Sequence, residues 1–258
     1  MTTVSRGVVV TGGGRGIGAA TARALAATGA RLLVAARHET EIETVAGKLR
    51  LAGAQAWALR CDVTDPASIA SLARTATERL GTVDILVNNA GTASSAPVHR
   101  TTLEEWQRLL AVNATGTFLC TQTFLPGMVE RGWGRVVNVA SIAGLEGDKY
   151  IAAYCAAKHA VVGFTKAVAI ETAGTGVTVN AVCPGYVDTP MTDATVGQVA
   201  QRTRKSREEA LQAILTHSGQ PRLVTAEEVA ATIVALCDET AGALTGQTIV
   251  LDAGALRT

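Results

Sequence analysis

Short runs of branched aliphatic residues alternate along the chain with longer stretches of helical periodicity. The apolar runs predict seven strands, at Gly7–Thr11, Arg31–Ala36, Gln55–Cys61, Val83–Asn88, Gly134–Ala140, Gly176–Cys183 and Gln247–Leu251. The stretches between them predict helices that end at Gly29, run from Glu39 to Gly53, from Pro66 to Gly81, from the Thr102–Glu105 capping box to about Arg131, from Ala153 to Ala173, and onward from the Thr225–Glu228 capping box.

This alternation of strands and long helices predicts βαβ crossovers and therefore a parallel sheet. We expect an α/β fold, with a single Rossmann-like, doubly wound domain over residues 1–258 and helices on both faces of a seven-stranded parallel sheet. The exception is Thr189–Pro221, which is polar, has no strand pattern and is longer than an ordinary connection. Such a segment is typical of a lid over a site.

Composition narrows the class of protein. The chain has 258 residues, is 48% hydrophobic, and carries 23 Lys+Arg against 22 Asp+Glu, a net charge of +1. These values exclude a disordered chain and a uniformly basic nucleic-acid binder. No apolar run approaches the roughly 18 residues of a membrane span, and Met1–Arg6 lacks the layout of a signal peptide. We therefore expect a soluble cytoplasmic protein without nucleic-acid or membrane partners.

The five cysteines are Cys61, Cys120, Cys155, Cys183 and Cys237, an odd number without a CxxC pair. This pattern fits neither a disulfide framework nor a zinc knuckle, so reduced, buried thiols are expected. No cluster of carboxylates or histidines predicts a metal site.

A glycine-rich turn lies between the first predicted strand and the first predicted helix. It reads Thr11-Gly-Gly-Gly-Arg-Gly-Ile-Gly18. Glycines there let backbone N–H groups approach an anion, and the helix N-terminus favours negative charge. The turn alone does not distinguish a nicotinamide enzyme from a methyltransferase or a nucleotide-sensing regulator.

Polar residues follow the ends of two further strands and begin a long helix. Asn88–Gly91 ends the fourth strand, Ser141 follows the fifth, and Tyr154 and Lys158 share one face of the next helix. The carboxyl ends of parallel strands line the crevice where ligands bind. Tyrosine has an ordinary pKa of about 10, so an acid or base poised near neutrality would need its phenolate stabilised by about 4 kcal/mol. A nearby lysine and an oxidised nicotinamide ring could both contribute.

These motifs, in this order, resemble the short-chain dehydrogenase/reductase family over essentially the whole chain. They are the TGxxxGxG turn at Thr11–Gly18, the NNAG of Asn88–Gly91, Asn113 in Val-Asn-Ala-Thr-Gly, Ser141, the Tyr-x-x-x-Lys of Tyr154 and Lys158, and Pro184–Gly185 followed by Thr189. One such motif is weak evidence, but six at fitting intervals are very specific.

The resemblance implies a role for each matching residue. Tyr154 would be the general acid in reduction and the base in oxidation, and Ser141 would hydrogen-bond the substrate oxygen. Lys158 would lower the pKa of Tyr154 and hold the nicotinamide ribose, while Asn113 would hold a water that links Lys158 to solvent. The implied cofactor-binding residues are Gly12, Gly14, Arg15, Gly16, Ile17, Gly18, Arg37, Asp62, Val63, Asn89, Ala90, Gly91, Tyr154, Lys158, Pro184, Gly185, Val187 and Thr189.

The end of the second strand bears on the choice of cofactor. Ala36 stands where NAD-preferring members of the family usually have Asp, and Arg37 follows it. Arg15 is a second cation near the same place. Two guanidiniums without an acid at this strand end fit a 2′-phosphate, so we expect NADP(H). Alternatively, Arg37 is only solvated. Asp62–Val63 resembles the adenine-contacting pair of the family, although Asp62 could instead help to cap the helix at Pro66.

The substrate side is less specific. Tyr186–Met191 and Lys158–Thr165 resemble acyl-thioester and polyketide ketoreductases of the family. The substrate candidates besides Ser141 and Tyr154 are mostly apolar: Ala93, Ser94, Leu145, Tyr150, Tyr186 and Met191. Without a carboxylate clamp they disfavour a small charged substrate. The cations Arg202, Arg204, Lys205 and Arg207 either meet the phosphates of coenzyme A or an acyl carrier, or form a solvated helix face balanced by Glu208 and Glu209.

Three functions are therefore compared. The first is an NADP(H)-dependent ketone/secondary-alcohol oxidoreductase, either a 3-oxoacyl-thioester reductase or a carbonyl reductase for bulky apolar ketones. The second is an NAD-dependent 3-hydroxyacyl or 3-hydroxybutyrate dehydrogenase, since similar lids occur in hydroxybutyrate dehydrogenases of the family. The third is a non-catalytic Rossmann protein that senses the cofactor ratio. The resemblance also implies a homotetramer packed through helices around Glu104–Arg131 and Ala153–Ala173.

Overall fold

The computed structural model describes residues 5–255, which form one parallel sheet with helices on both faces. The strands are β1 (Gly7–Thr11), β2 (Arg31–Ala36), β3 (Ala56–Arg60), β4 (Ile85–Asn88), β5 (Gly134–Val139), β6 (Val177–Pro184) and β7 (Thr248–Leu251). The helices are α1 (Gly16–Ala27), α2 (Glu39–Leu51), α3 (Pro66–Leu80), α4 (Leu103–Leu110), α5 (Gly116–Glu130), α6 (Ala152–Glu171), α7 (Pro190–Thr203), α8 (Arg207–Ser218) and α9 (Ala226–Cys237).

The strand order is β3-β2-β1-β4-β5-β6-β7. The order reverses between β1 and β4, which is where a doubly wound sheet opens a crevice for a ligand. Alternate residues of β1 face opposite sides: Val8 and Val10 belong to the core built with α1, α2 and α9, whereas Val9 belongs to the core built with α3, α5 and α6. The predicted α/β fold is confirmed, and all seven strands end within two residues of their predicted limits.

The predicted helix from Thr102 to Arg131 is not regular. Residues Ala111–Thr115 form a π-helical turn between α4 and α5. The side chain of Asn113, inside this turn, donates to the carbonyl oxygens of Leu109 and Thr92, each at 2.9 Å. A π turn inserts one extra residue and is frequent at functional sites.

One of the two predicted capping boxes forms completely. Thr225 and Glu228 satisfy each other's backbone N–H groups at the start of α9. At the start of α4 the prediction is half wrong: Thr102 accepts from the N–H of Glu105, but the Glu105 carboxylate turns to Arg108 at 2.7 Å. A guanidinium is the stronger partner because both groups are charged.

The segment 189–221 folds into two helices. Helix α8 begins at a capping box of Ser206 and Glu209. Val196 of α7 packs on Ala210 and Ile214 of α8 in a small core of their own.

All five cysteines are buried and unpaired with one another. No helix among residues 5–255 is both long and apolar enough to cross a membrane.

Candidate active site

A cleft lies over the carboxyl ends of β1, β2 and β4. It brings together most of the predicted cofactor residues with a few that were not predicted. Its lining is Gly12, Gly14, Arg15, Gly16, Ile17, Ala36, Arg37, His38, Glu41, Cys61, Asp62, Val63, Asn89, Ala90, Gly91, Val112, Thr189, Pro190 and Met191. The lining does not include six of the predicted cofactor residues: Gly18, Tyr154, Lys158, Pro184, Gly185 and Val187. Gly18 lies inside α1, and the others belong to α6, to β6 and to the loop that follows β6.

The glycine turn is held against the end of β4. The Asn89 side chain donates to the carbonyl oxygens of Thr11 and Gly12, at 3.0 and 2.9 Å. A Cβ atom on Gly18 would lie 2.4 Å from both the Asn89 amide and the Gly12 oxygen, and Gly12 has φ +63°. These positions therefore require glycine for close approach and for backbone conformation.

The N-terminus of α1 opens into the cleft. Arg15 is its N-cap residue but makes no side-chain capping bond, and the first turn contains no acidic residue. Gly16 has φ +52° and faces Thr189. A helix end with uncapped N–H groups and no competing carboxylate suits an anion. The site thus fits the phosphates of a dinucleotide.

The far end of the cleft carries mixed charge. Arg15 and Arg37 lie there as predicted, but Glu41 of α2 also lines the cleft, with its carboxylate 3.8 Å from the Arg15 guanidinium. The absence of an acid at the end of β2 therefore does not mean that this end of the cleft has none. The sequence signal was available, because α2 starts three residues after β2 and Glu41 is in its first turn.

Asp62 does not cap α3. Its carboxylate accepts from the N–H and Oγ1 of Thr64, at 3.0 and 2.8 Å. Asp65 caps α3 instead, through the N–H groups of Ala67 and Ser68. Burial raises the pKa of Asp62, but the Thr64 hydrogen bonds and the charges of Arg37 and Arg60 outweigh burial, so the pKa lies below its ordinary value.

Ser141, Tyr154 and Lys158 come together beside the cleft. Ser141 lies two residues after the end of β5; its hydroxyl accepts from the N–H of Ala143 at 3.1 Å and lies 3.4 Å from the Pro184 carbonyl. Burial raises the pKa of Tyr154 to about 12, although a hydrogen bond with Ser141 lowers it. The phenol therefore keeps its proton at neutral pH in the protein alone. That Lys158 lowers the pKa of Tyr154 stays a prediction for the cofactor complex.

Lys158 is 5% exposed and one helical turn from Tyr154. Its ammonium donates to the Val139 carbonyl at 2.8 Å and lies 5.8 Å from the centre of the Tyr154 ring. Burial lowers the pKa of Lys158 to about 8. A buried, weakly solvated ammonium is ready to bind oxygen acceptors such as ribose hydroxyls.

Both polar atoms of the Asn113 side chain make hydrogen bonds within the protein. Besides its two donated bonds, its Oδ1 accepts from the N–H of Thr92 at 3.2 Å, so it holds the loop after β4. A Cβ on Gly91 would lie 3.0 Å from Asn113 Oδ1 and 3.7 Å from Lys158 Nζ, so only glycine leaves room between them. The expected proton relay through Asn113 stays a prediction.

The substrate candidates surround this group unevenly. Tyr150 is 61% exposed with φ +67°, and its carbonyl accepts from the N–H of Ala96 at 2.7 Å, which joins its loop to the loop holding Ala93 and Ser94. Leu145 and Met191 are partly exposed, and Met191 lines the dinucleotide cleft. Tyr186 packs against the small core between helices α7 and α8.

Gln220 is a residue that sequence reasoning missed. It is 3% exposed, its Oε1 accepts from the N–H of Tyr186 at 2.7 Å, and its Nε2 donates to the Tyr186 carbonyl at 3.2 Å. A Cβ on Gly185 would lie 2.4 Å from Gln220 Oε1. The amide therefore fixes the loop after β6 to the segment that follows α8.

A doubly wound parallel sheet with a glycine turn at its switch point defines a Rossmann-type nucleotide-binding protein. The sequence model described as short chain dehydrogenase matches residues 6–200. The chain belongs to the short-chain dehydrogenase family.

Named relatives cover nearly all of the chain. A 3-oxoacyl-[acyl-carrier-protein] reductase of Synechocystis is 41% identical over 249 residues, 95% of each chain. A D-beta-hydroxybutyrate dehydrogenase of Rhizobium meliloti is 37% identical over 255 residues, 97% of this chain and 98% of the relative. A solved actinorhodin polyketide ketoreductase variant with NADPH is 40% identical, with a TM-score of 0.94 over 98% of both chains.

Proposed function

We propose that the protein is an NADP(H)-dependent oxidoreductase that interconverts a ketone and a secondary alcohol. The observation that carries this proposal is the grouping of Ser141, Tyr154 and Lys158 beside a cleft whose glycine turn and helix N-terminus fit a dinucleotide. The ketoreductase relatives support the same reaction class.

NADP(H), when bound, supplies or accepts the hydride. Gly14, Gly16 and Ile17 would face the pyrophosphate, and Arg15 and Arg37 the 2′-phosphate. Asp62 and Val63 lie at the adenine end, and Thr189 reaches Gly16 from the start of the lid.

The chain's own residues handle the proton and the oxygen. In reduction, the Tyr154 hydroxyl gives its proton to the oxygen of the carbonyl group, and Ser141 donates a hydrogen bond to the same oxygen. Because the phenol keeps its proton at neutral pH, it can donate that proton to the carbonyl oxygen. Lys158, through its ammonium, would hold the ribose and stabilise the phenolate that remains.

Arg37→Gln should weaken NADPH binding by about tenfold and leave NADH binding within about twofold, because only NADPH carries the phosphate that a guanidinium would pair. Dissociation constants measured by fluorescence titration check this. Arg74→Gln, on the exposed surface of α3, is the control. An equal loss for both cofactors would contradict the assignment of Arg37.

Ketone reduction should be constant with pH up to neutrality and should fall above about pH 8, where Lys158 loses its proton. Tyr154, with a pKa of about 12, keeps its proton throughout this range, so the acid itself does not limit reduction. The measurement is kcat/KM for the ketone across this pH range, with NADPH at a saturating concentration. A rate that rises with pH would contradict this account.

For the substrate we propose a 3-oxoacyl thioester or a bulky apolar ketone, since the candidate residues around the site are mostly apolar. Residues 189–221, which contain helices α7 and α8, act as a lid within a single catalytic domain. A panel of ketones and acyl thioesters, assayed with NADPH and NADH in parallel, tests this. Faster oxidation of 3-hydroxybutyrate with NAD would favour the dehydrogenase alternative, which the Rhizobium relative supports.

We propose a cytoplasmic homotetramer. Helices α5 and α6 leave Phe118, Val129 and Ile170 exposed, at 42%, 37% and 78%. Exposed apolar side chains on neighbouring helices favour burial against another copy. Light scattering that gives a monomer would refute this assembly.

A further inference from the structure

Two carboxylates of the same chain partly neutralise the cationic end of the cleft. Glu41 Oε1 lies 3.8 Å from Arg15, and both side chains line the cleft. On the other side, the charges of Arg37 and Arg60 act on Asp62. The end that would take a 2′-phosphate therefore holds two carboxylates, Glu41 and Asp62, beside the guanidiniums of Arg15 and Arg37.

Glu41 is placed by tight packing on the glycine turn. A Cβ on Gly14 would lie 2.9 Å from Glu41 Cβ and 3.1 Å from its Oε2. The next residue, Ile42, is completely buried and anchors this turn of α2. The carboxylate is thus held against the phosphate-binding turn.

The pair with Arg15 contributes little to stability. The two side chains are 61% and 37% exposed, and an exposed pair at this distance adds little because solvent screens it. An acid in the first turn of α2 also favours the helix dipole, but Glu39 occupies the same turn. Neither role requires a carboxylate inside the cleft.

We propose that Glu41 is a specificity-determining residue that weakens the preference for a 2′-phosphate by holding Arg15. A cofactor with this phosphate must replace Glu41 as the partner of Arg15. It must also place a phosphate of about two negative charges close to the Glu41 carboxylate. A cofactor with a free 2′-hydroxyl meets neither cost. This proposal rests on the proposed use of the cleft for a nicotinamide dinucleotide.

The test is the affinity of Glu41→Gln for NADPH, NADH, 2′,5′-ADP and 5′-AMP, measured by calorimetry. NADPH and 2′,5′-ADP should bind about fivefold more tightly than to the wild type, whereas NADH and 5′-AMP change less than about twofold. The gain should shrink at high salt because the interaction is electrostatic. Glu39→Gln, in the same helical turn, should leave all four affinities unchanged.

A double-mutant cycle tests the route through Arg15. In an Arg15→Gln background, the gain from Glu41→Gln should fall below about twofold. An undiminished gain, an equal gain for both cofactor types, or no gain would overturn the proposal. Tighter binding of NADH than NADPH by the wild type would instead refute the proposed cofactor, and the effect of Glu41→Gln would still be read from the same data.

Discussion

Tyr154→Phe should lower kcat for ketone reduction by about a thousandfold, since general acid catalysis typically contributes 10²–10⁴-fold. The substitution removes one hydroxyl and leaves the ring in place, so NADPH affinity should stay within about twofold. Rapid-mixing kinetics with a ketone substrate measure kcat, and fluorescence titration measures binding.

The physical reason is the position of this hydroxyl. The side chain is half-buried, its hydroxyl is hydrogen-bonded to Ser141, and a pKa of about 12 keeps the hydroxyl protonated at neutral pH. Ser141→Ala is the companion variant and should lose about a hundredfold, because it removes a hydrogen bond to the developing charge but leaves the proton donor. A Tyr154→Phe variant with kcat within tenfold of the wild type would contradict the assignment. A variant that loses activity but keeps the cellular role of the protein would favour the cofactor-sensing alternative.

Lys158→Met should abolish most activity and yet stabilise the cofactor-free protein by about 1–2 kcal/mol at neutral pH. Lys158 is almost completely buried, and burial lowers its pKa from 10.5 to about 8. The folded protein therefore carries a cost for the charged form that the unfolded chain does not. Methionine has similar length and no charge, so it removes this cost while losing the bond to Val139.

The sign follows from proton linkage. Between pH 8 and 10.5 the folded protein binds fewer protons at Lys158 than the unfolded chain, so the cost is complete below pH 8 and disappears as pH rises to 10.5. The gain in Lys158→Met should decrease over the same interval. Urea unfolding of the wild type, Lys158→Met and Lys166→Met checks this, because Lys166 is an exposed lysine on the same helix. A loss of unfolding free energy in Lys158→Met relative to Lys166→Met would contradict the account.

The sequence predicted the features that depend on local chemistry. A strand with a continuous apolar run, such as β1, is buried on both faces and leaves a clear pattern in the sequence. The glycine turn was equally readable, because Gly12 and Gly18 meet steric conditions that only glycine satisfies.

Features that depend on side-chain competition were not predictable. Glu105 could bond to the backbone or to Arg108, and only the folded geometry decides between them. Asp62 and Asp65 both precede α3, and the one closer to Pro66 became the cap. Gln220 lies 34 positions after Tyr186, so no local pattern announces their contact.

The most direct test of the central claim is isotope transfer. Wild-type protein is incubated with NADPH carrying deuterium at the transferred position and with an apolar 3-oxoacyl thioester or ketone, and the alcohol is analysed by mass spectrometry. The account predicts one deuterium on the carbinol carbon, formed by the wild type and almost absent with Tyr154→Phe. An alcohol without deuterium, or no alcohol with any substrate of the panel, would contradict it.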